Sequence, residues 1–406
     1  MHLEGVQAIL DRRLRPQSRR PVAVAFSGGG DSLALLLAAS DWAKAAGRDL
    51  LALTVDHRLQ PESAAWTNDC ATTTARLDIP FQALSWTDEK PATGLSAAAR
   101  DARHRLLADA GRAAGASVIL MGHTGDDILE ARLMRTRGST TPEPREWSPS
   151  PAWPEGRGVF LLRPLLGLRR AEIRDWLTAR GERWIDDPAN ESPLSRRAQA
   201  RREIAGAGAA PVASPEAVAA EALARACRQD AAAGLHTPRA GIASAPPGVA
   251  ARFLSAACLS AAGTSRPPPR EAVMRLAERL AGPGGVATTL AGARIEADGD
   301  EVRFLREAGE AARGGLRPLM LAAGETGVWD GRFEITAMQA MDVRGASGLR
   351  QGLPPADRDV LAALPASARD TVPVVVDGGA AKLADARPLA LDRLLAACGA
   401  VDAEPA

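Results

Sequence analysis

Tyrosine is absent from this 406-residue chain, and the aromatics together reach only 3%. Lysine is almost absent too: of 50 basic residues, all but Lys44, Lys90 and Lys382 are arginine. With so much alanine, this bias reads as a GC-rich coding sequence before it reads as function, yet it leaves few lysines for catalysis. Cysteine is scattered at Cys70, Cys227, Cys258 and Cys398, with no C-x-x-C pair. Neither a zinc ribbon nor an iron–sulfur site is therefore suggested, and the pattern suits reduced thiols in the cytoplasm. No stretch approaches the roughly 18–20 apolar residues of a membrane span, so no membrane partner is expected. An excess of charge of one sign is missing as well. The formal net charge is +1, so any nucleic-acid site must be a local patch. The amino-terminal segment is arginine-rich and amphipathic, but Glu4 and Asp11 argue against a transit peptide and for a leading helix.

What is present centres on VAVAFSGGGDSLALLL, residues 22–37. Val22 to Phe26 suits a buried parallel strand, and Leu33 to Ala39 a buried helix. Between them Gly28, Gly29 and Gly30 carry no Cβ and can let backbone N–H groups close on an anion. Ser27 and Ser32 add hydroxyls, and the helix start adds partial positive charge. The pattern reads as a phosphate cradle. It is not a P-loop, which needs G-x-x-x-x-G-K-S/T, and its contiguous glycines do not fit a dinucleotide fingerprint. Asp31 would repel phosphate unless a bound Mg²⁺ stood between them. The bland alternative is a tight glycine turn between two core elements.

Strands and helices then alternate. Leu50 to Val55 is a strand ending in Asp56-His57, followed by a helix over Glu62 to Leu77 and a weaker strand over Phe81 to Trp86. Gly94 to Ala114 is a helix with Leu95, Ala99, Ala102, Leu106, Ala110 and Ala113 on one face. Ser117 to Met121 is a buried strand that ends in Gly122-His123-Thr124-Gly125-Asp126-Asp127. This spacing predicts a doubly wound parallel sheet. Such sheets bind ligands at the strands' carboxyl ends, where the glycine loop, Asp56-His57 and His123 with Asp127 would converge. Read singly, His123 is a structural histidine and Asp126 or Asp127 a helix cap.

A strand, S-G-G-x-D-S and a helix resemble the ATP-pyrophosphatase, or PP-loop, superfamily, which cleaves ATP between its α- and β-phosphates. Three further runs sharpen the likeness: VDHRLQPESA (55–64), the run from Gly94 to Ser139, and DDPANESPLSRRAQARRE (186–203). Each is similar to a segment of the tRNA(Ile)-lysidine synthetases, in the same order over about the first two hundred residues. The resemblance implies an enzyme that adenylates O2 of the wobble cytidine in a CAU-anticodon tRNA(Ile) and joins free L-lysine to C2. It implies that Ser27, Gly28, Gly29, Gly30, Asp31, Ser32 and Asp56 bind ATP, with Asp31 near Mg²⁺. Arg103 matches the second arginine of the family's A-R-x-x-R-Y/H helix, and His123 and Asp127 match its H-x-x-D-D segment at the reaction centre.

There are departures. Gln60 replaces a usual arginine, Ile128 a usual glutamine, and Thr140 a usual glycine, and the loop that follows is rich in proline and tryptophan. From Arg157 to Arg202 eleven arginines face six acids, which suits phosphate contacts or, equally, a solvated face. The resemblance favours tRNA there, with Arg197 and Arg201 as contacts. Past Ile204 the composition shifts. The expected division is a catalytic domain over 1–204, a helical tRNA-binding-type domain over 205–312 and a small α+β domain over 313–406. Helices are expected near 215–233, 248–261 and 270–281, with hairpins through Asp298-Gly299 and Asp330-Gly331. A homodimer is compatible with the sequence. Two other readings stay open: a tRNA-thiolating enzyme with the same loop, and an inactive nucleotide- or RNA-binding homologue.

Overall fold

The parallel strands form where short β-branched and aliphatic runs leave no polar face to expose. In the computed structural model, which describes residues 3–139, 142–186, 199–200, 203–204, 219–377 and 379–406, the chain divides into two compact units. The first comprises Met1–Ser214 with Val401–Ala406, the second Pro215–Ala400.

In the first unit the order is α1 (Leu3–Arg13), β1 (Val22–Ala25), α2 (Gly30–Ala46), β2 (Leu50–Asp56), α3 (Ser63–Arg76), β3 (Phe81–Ser85) and α4 (Leu95–Ala113). There follow β4 (Val118–Met121), α5 (Gly125–Thr136), β5 (Trp147–Pro149), β6 (Phe160–Leu162) and α6 (Arg170–Ala179). The sheet runs β3-β2-β1-β4-β6-β5, parallel except for β5. Alternate residues of each strand serve opposite faces. Val22, Val24, Val118, Leu120 and Leu162 pack with α1, α2 and α6 through Leu10, Leu36 and Leu177. Ala23, Leu53, Ile119, Met121 and Leu161 pack with Leu107 and Ala110 of α4. This is the doubly wound sheet that the sequence predicts. Because β1 lies between β2 and β4, the loops leaving these three strands open side by side. The chain reverses direction across the sheet at β1, which makes this edge the topological switch point.

The second unit has one main core running from Ala220 to Cys398. Helices Pro247–Ala262 and Arg270–Ala281 form where expected. The hairpin at Asp298-Gly299 joins two strands of a five-stranded antiparallel sheet, Ala293–Asp298 and Glu301–Arg306. Phe253 meets Phe304 edge to face at 6.1 Å, pinning helix to sheet. The helix expected over 215–233 is described only as Ala219–Arg225. Beyond it, the Asp230 carboxylate accepts the Ala232 and Gly234 amides at 2.9 and 2.8 Å, closing a turn into strand Leu235–Pro238. The remaining strands form a four-stranded and a three-stranded antiparallel sheet, the latter holding the hairpin at Asp330-Gly331.

Candidate active site

The loop from Phe26 to Ser32 links β1 to α2 and has a conformation that only glycine satisfies at one position. Gly28 takes φ +78°, and a Cβ there would lie 2.4 Å from Ile185 Cδ1 and 3.2 Å from Cys70 Sγ. The Ser32 hydroxyl donates to the Gly29 carbonyl at 2.9 Å and accepts from the Ser27 amide at 3.2 Å, so the bend is tied to itself by a side chain. The amides of Gly28, Gly29, Gly30, Asp31 and Ser32 donate to no described residue. They form the open, positive end of a 17-residue helix. At the end of β4, a Cβ on Gly122 would come within 3.1 Å of the Ser32 backbone, so this strand end passes directly against the loop.

An arginine at the start of α6 links three acids. Arg170 Nε donates to Asp31 Oδ2 at 2.9 Å, Nη1 to Glu130 at 3.3 Å, and Nη2 lies 3.7 Å from Asp127 Oδ2. Its neighbour Arg169 forks onto Asp126 at 2.9 and 3.1 Å, and the Arg170 amide donates to the same carboxylate at 2.7 Å. Burial pushes the Asp31 carboxyl above its usual range, an effect that Arg170 partly offsets and Asp127 reinforces. Burial also pulls the Arg170 guanidinium down, but Asp31 and Asp127 outweigh it and hold it above its ordinary value. Asp126 is pushed up by burial, yet Arg169 and the Arg170 amide bring it below the usual range. Asp127 also does the capping work of the bland reading: its Oδ2 accepts the Thr124 amide at 2.8 Å and closes a capping box on α5.

A second group lies around α4 and the end of β2. His57 packs edge to face on Trp86 at 6.0 Å. Burial, and then the Arg103 charge, pull its imidazole below the usual value. His104 is 3% exposed, and neither ring nitrogen has a hydrogen-bond partner among the described residues. Burial, then Arg103 and Arg100, pull it down to about 2, so it is neutral in the native protein. His123 also lies within electrostatic reach of His104. Asp56 has a local task, accepting the Arg58 amide at 2.8 Å to close the turn after β2.

Among the described residues no three His, Cys, Asp or Glu side chains are arranged to hold a metal. Mg²⁺ commonly takes only one or two carboxylates plus substrate phosphates. Asp31 suits that mode, since its Oδ2 is held by Arg170 while Oδ1 has no partner among the described residues. Asp31 and Asp127 are thus brought together through Arg170, and Arg103 is brought close to His57. Arg197 and Arg201 lie outside the described residues.

The PP-loop domain family matches residues 3–207. A tRNA(Ile)-lysidine synthase from Caulobacter vibrioides is 47% identical, covering 100% of this chain and 99% of that one. The chain belongs to the tRNA(Ile)-lysidine synthase family. The tRNA(Ile)-lysidine synthase of Rhizobium meliloti is 42% identical over 47% of this chain and 45% of its own. A solved U34-tRNA thiolase from Methanococcus maripaludis matches 50% of this chain and 70% of its own, at 16% identity and a TM-score of 0.41.

In this member of the tRNA(Ile)-lysidine synthase family, Arg170 and Glu130 are the residues of the candidate site that sequence reasoning does not single out. In the sequence Arg170 is one of the eleven arginines between Arg157 and Arg202 whose excess points to tRNA phosphates. The signal that places it elsewhere is sheet order: β6 lies beside β4, so the helix that follows β6 starts at the same edge as the glycine loop.

Proposed function

We propose that this chain uses ATP to activate the wobble cytidine of a CAU-anticodon tRNA(Ile) and joins free L-lysine to it, forming lysidine, AMP and pyrophosphate. The observation that carries the reading is 47% identity to a tRNA(Ile)-lysidine synthase over the whole chain. In the first step O2 of the cytidine bonds to the α-phosphorus as the bond to the bridging oxygen breaks and pyrophosphate leaves. In the second, the ε-amino nitrogen of lysine bonds to C2, AMP departs with O2, and the nitrogen gives up a proton.

The amides from Gly28 to Ser32, which donate to no described residue, hold the β- and γ-phosphates, where fixed dipoles need no reorganisation as charge develops. Ser27 lines the same bend. Asp31 is the residue to hold Mg²⁺, which when bound supplies charge at the phosphates. Arg103 faces the triphosphate or the reacting nucleotide. Asp127 holds the incoming ammonium or accepts its proton, and His123 serves the same reaction centre. Asp56 shapes the nucleotide side of the crevice. Arg197, Arg201 and the regions assigned to 205–312 and 313–406 grip the tRNA. The location that goes with this activity is the cytoplasm; no helix among the described residues is long and apolar enough to cross a membrane.

The test is to incubate the purified chain with ATP, L-lysine and the CAU-anticodon tRNA(Ile), and to analyse the nucleosides by mass spectrometry. Lysidine should form, with pyrophosphate release that requires both lysine and tRNA. Unchanged cytidine from folded, nucleotide-binding protein would overturn the proposal.

The thiolation alternative needs a reactive cysteine. All four are buried, and burial pushes Cys70 and Cys227 up to about 11 and Cys258 and Cys398 up to about 12. In the native protein at pH 8 every thiol should therefore react with a chromogenic disulfide at least about 100-fold more slowly than in urea. One fast native thiol would reopen the alternative.

A further inference from the structure

Residues 401–406 follow the second unit in the chain but belong to the first. They dock on the end of α1, the connection from α1 to β1, and the turn between α2 and β2. At the centre is Arg48, which follows the left-handed Gly47 cap of α2 and is 6% exposed. Its guanidinium donates to the Arg15 and Arg20 carbonyls at 2.6 and 2.8 Å and to both Glu404 oxygens at 3.1 and 2.9 Å. The two side chains keep 1% exposure each, and no other described carboxylate pairs with Arg48. The Glu404 carboxylate also accepts the Arg15 amide at 2.9 Å and the Ser18 hydroxyl at 3.0 Å. Backbone contacts fix the rest of the segment: Glu404 N to Arg13 O at 2.7 Å, Arg15 Nε to Glu404 O at 2.7 Å, and Trp147 Nε1 to Val401 O at 2.8 Å.

A buried guanidinium is tolerated only when it is paired and most of its N–H groups are used; both Arg48 Nη atoms are engaged, while Nε has no hydrogen-bond partner among the described residues. Here the pairing anion arrives from a segment more than 350 residues away in sequence. We propose that residues 401–406 are an intramolecular ligand of the first unit, with Glu404 as the counter-ion that lets it bury Arg48. Because residues 215–400 precede that segment, the unit bearing the glycine loop completes its fold only after the whole second unit has been made. A chain stopped within the second unit then presents no stable nucleotide site. The proposal does not depend on the lysidine reading, since it concerns folding alone.

Seven of the eight tryptophans lie in the first unit, so tryptophan fluorescence follows its unfolding. The experiment compares the full chain with Glu404→Leu, Glu404→Ala, Arg48→Met, the double variants Arg48→Met/Glu404→Leu and Arg48→Met/Glu404→Ala, so that each cycle closes, and a chain ending at Ala400. Glu404→Ala and the shortened chain should lower the fluorescence midpoint by about 10 °C. The double variant Arg48→Met/Glu404→Leu, which removes both charges, should return to within about 3 °C of the parent. A Glu404→Ala midpoint equal to the parent's would overturn the proposal. So would a double variant whose loss equals the sum of the single losses. The cycle decides the matter even if the shortened chain does not fold.

Discussion

Alanine at Asp31 should cut lysine- and tRNA-dependent pyrophosphate release by about 1,000-fold or more, the scale of losing a group aimed at developing charge. Asp31 stands in the first turn of α2, among amides that donate to no described residue, and one of its oxygens is already committed to Arg170. The pH dependence follows from the same geometry. Burial raises the Asp31 carboxyl above 3.8, so the acid limb of kcat/KM for ATP should lie above the limb of an exposed aspartate. Arg170 is the largest influence lowering it, so Arg170→Met should move that limb further toward neutral pH as well as reducing activity. For stability the sign is opposite to that of a paired surface carboxylate. A raised folded value means that the group favours the fold fully below 3.8 and loses that contribution as pH rises through the folded value. Asp31→Asn should therefore be inactive yet unfold at no lower temperature than the parent at neutral pH, a separation typical of functional sites. An Asp31→Ala variant with parental turnover, or an Arg170→Met acid limb that does not move, would remove these residues from the site.

How much of this was legible beforehand differs by element. Of the five parallel strands, β1, β2 and β4 could be read because an uninterrupted apolar run has few other places to go, and the loop could be read because three glycines framed by hydroxyls are rare by accident. The face of α4 could not be read. Its alanines give little contrast between sides: of the expected face Ala102 and Ala110 are buried, but the buried residues also include His104, Leu107, Ala108 and Gly111, while Leu95 is 38% exposed. Strand β5 was hidden by prolines. It forms because Trp147 stacks on Phe160 at 4.9 Å, a partner thirteen residues ahead. The strands flanking Asp230 are similar: two and four residues long, they are fixed by pairing rather than by propensity. The acids of the site were visible one by one, but their common counter-ion was not, since Arg170 is identified only by strand order. Arginine abundance worked against the reading, because one buried guanidinium among so many exposed ones has no compositional mark.

Removing the charge of Asp330 should destabilise the second unit by about 3–5 kcal/mol, as expected when a buried ion pair loses one partner. One carboxylate serves two buried arginines there. Arg306 forks onto it at 2.9 and 2.9 Å, and Arg332 Nε donates to it at 2.8 Å. Arg332 is fully buried and carries the network outward, donating to the Ala232 carbonyl at 2.9 Å and the Thr371 carbonyl at 2.6 Å. Arg306 reaches the Gly292 carbonyl at 3.2 Å. The network therefore spans both sides of residue 312. Two variants separate charge from backbone. Asp330 sits at φ +50°, which asparagine tolerates and alanine does not, at a difference of about 1–2 kcal/mol. Asp330→Asn should lose most of the stability that Asp330→Ala loses, because both leave two guanidinium groups without an anion. Urea unfolding followed by circular dichroism would measure both. An asparagine variant within about 1 kcal/mol of the parent would mean that the carbonyl contacts alone can hold two buried cations, against the cost expected for unpaired charge.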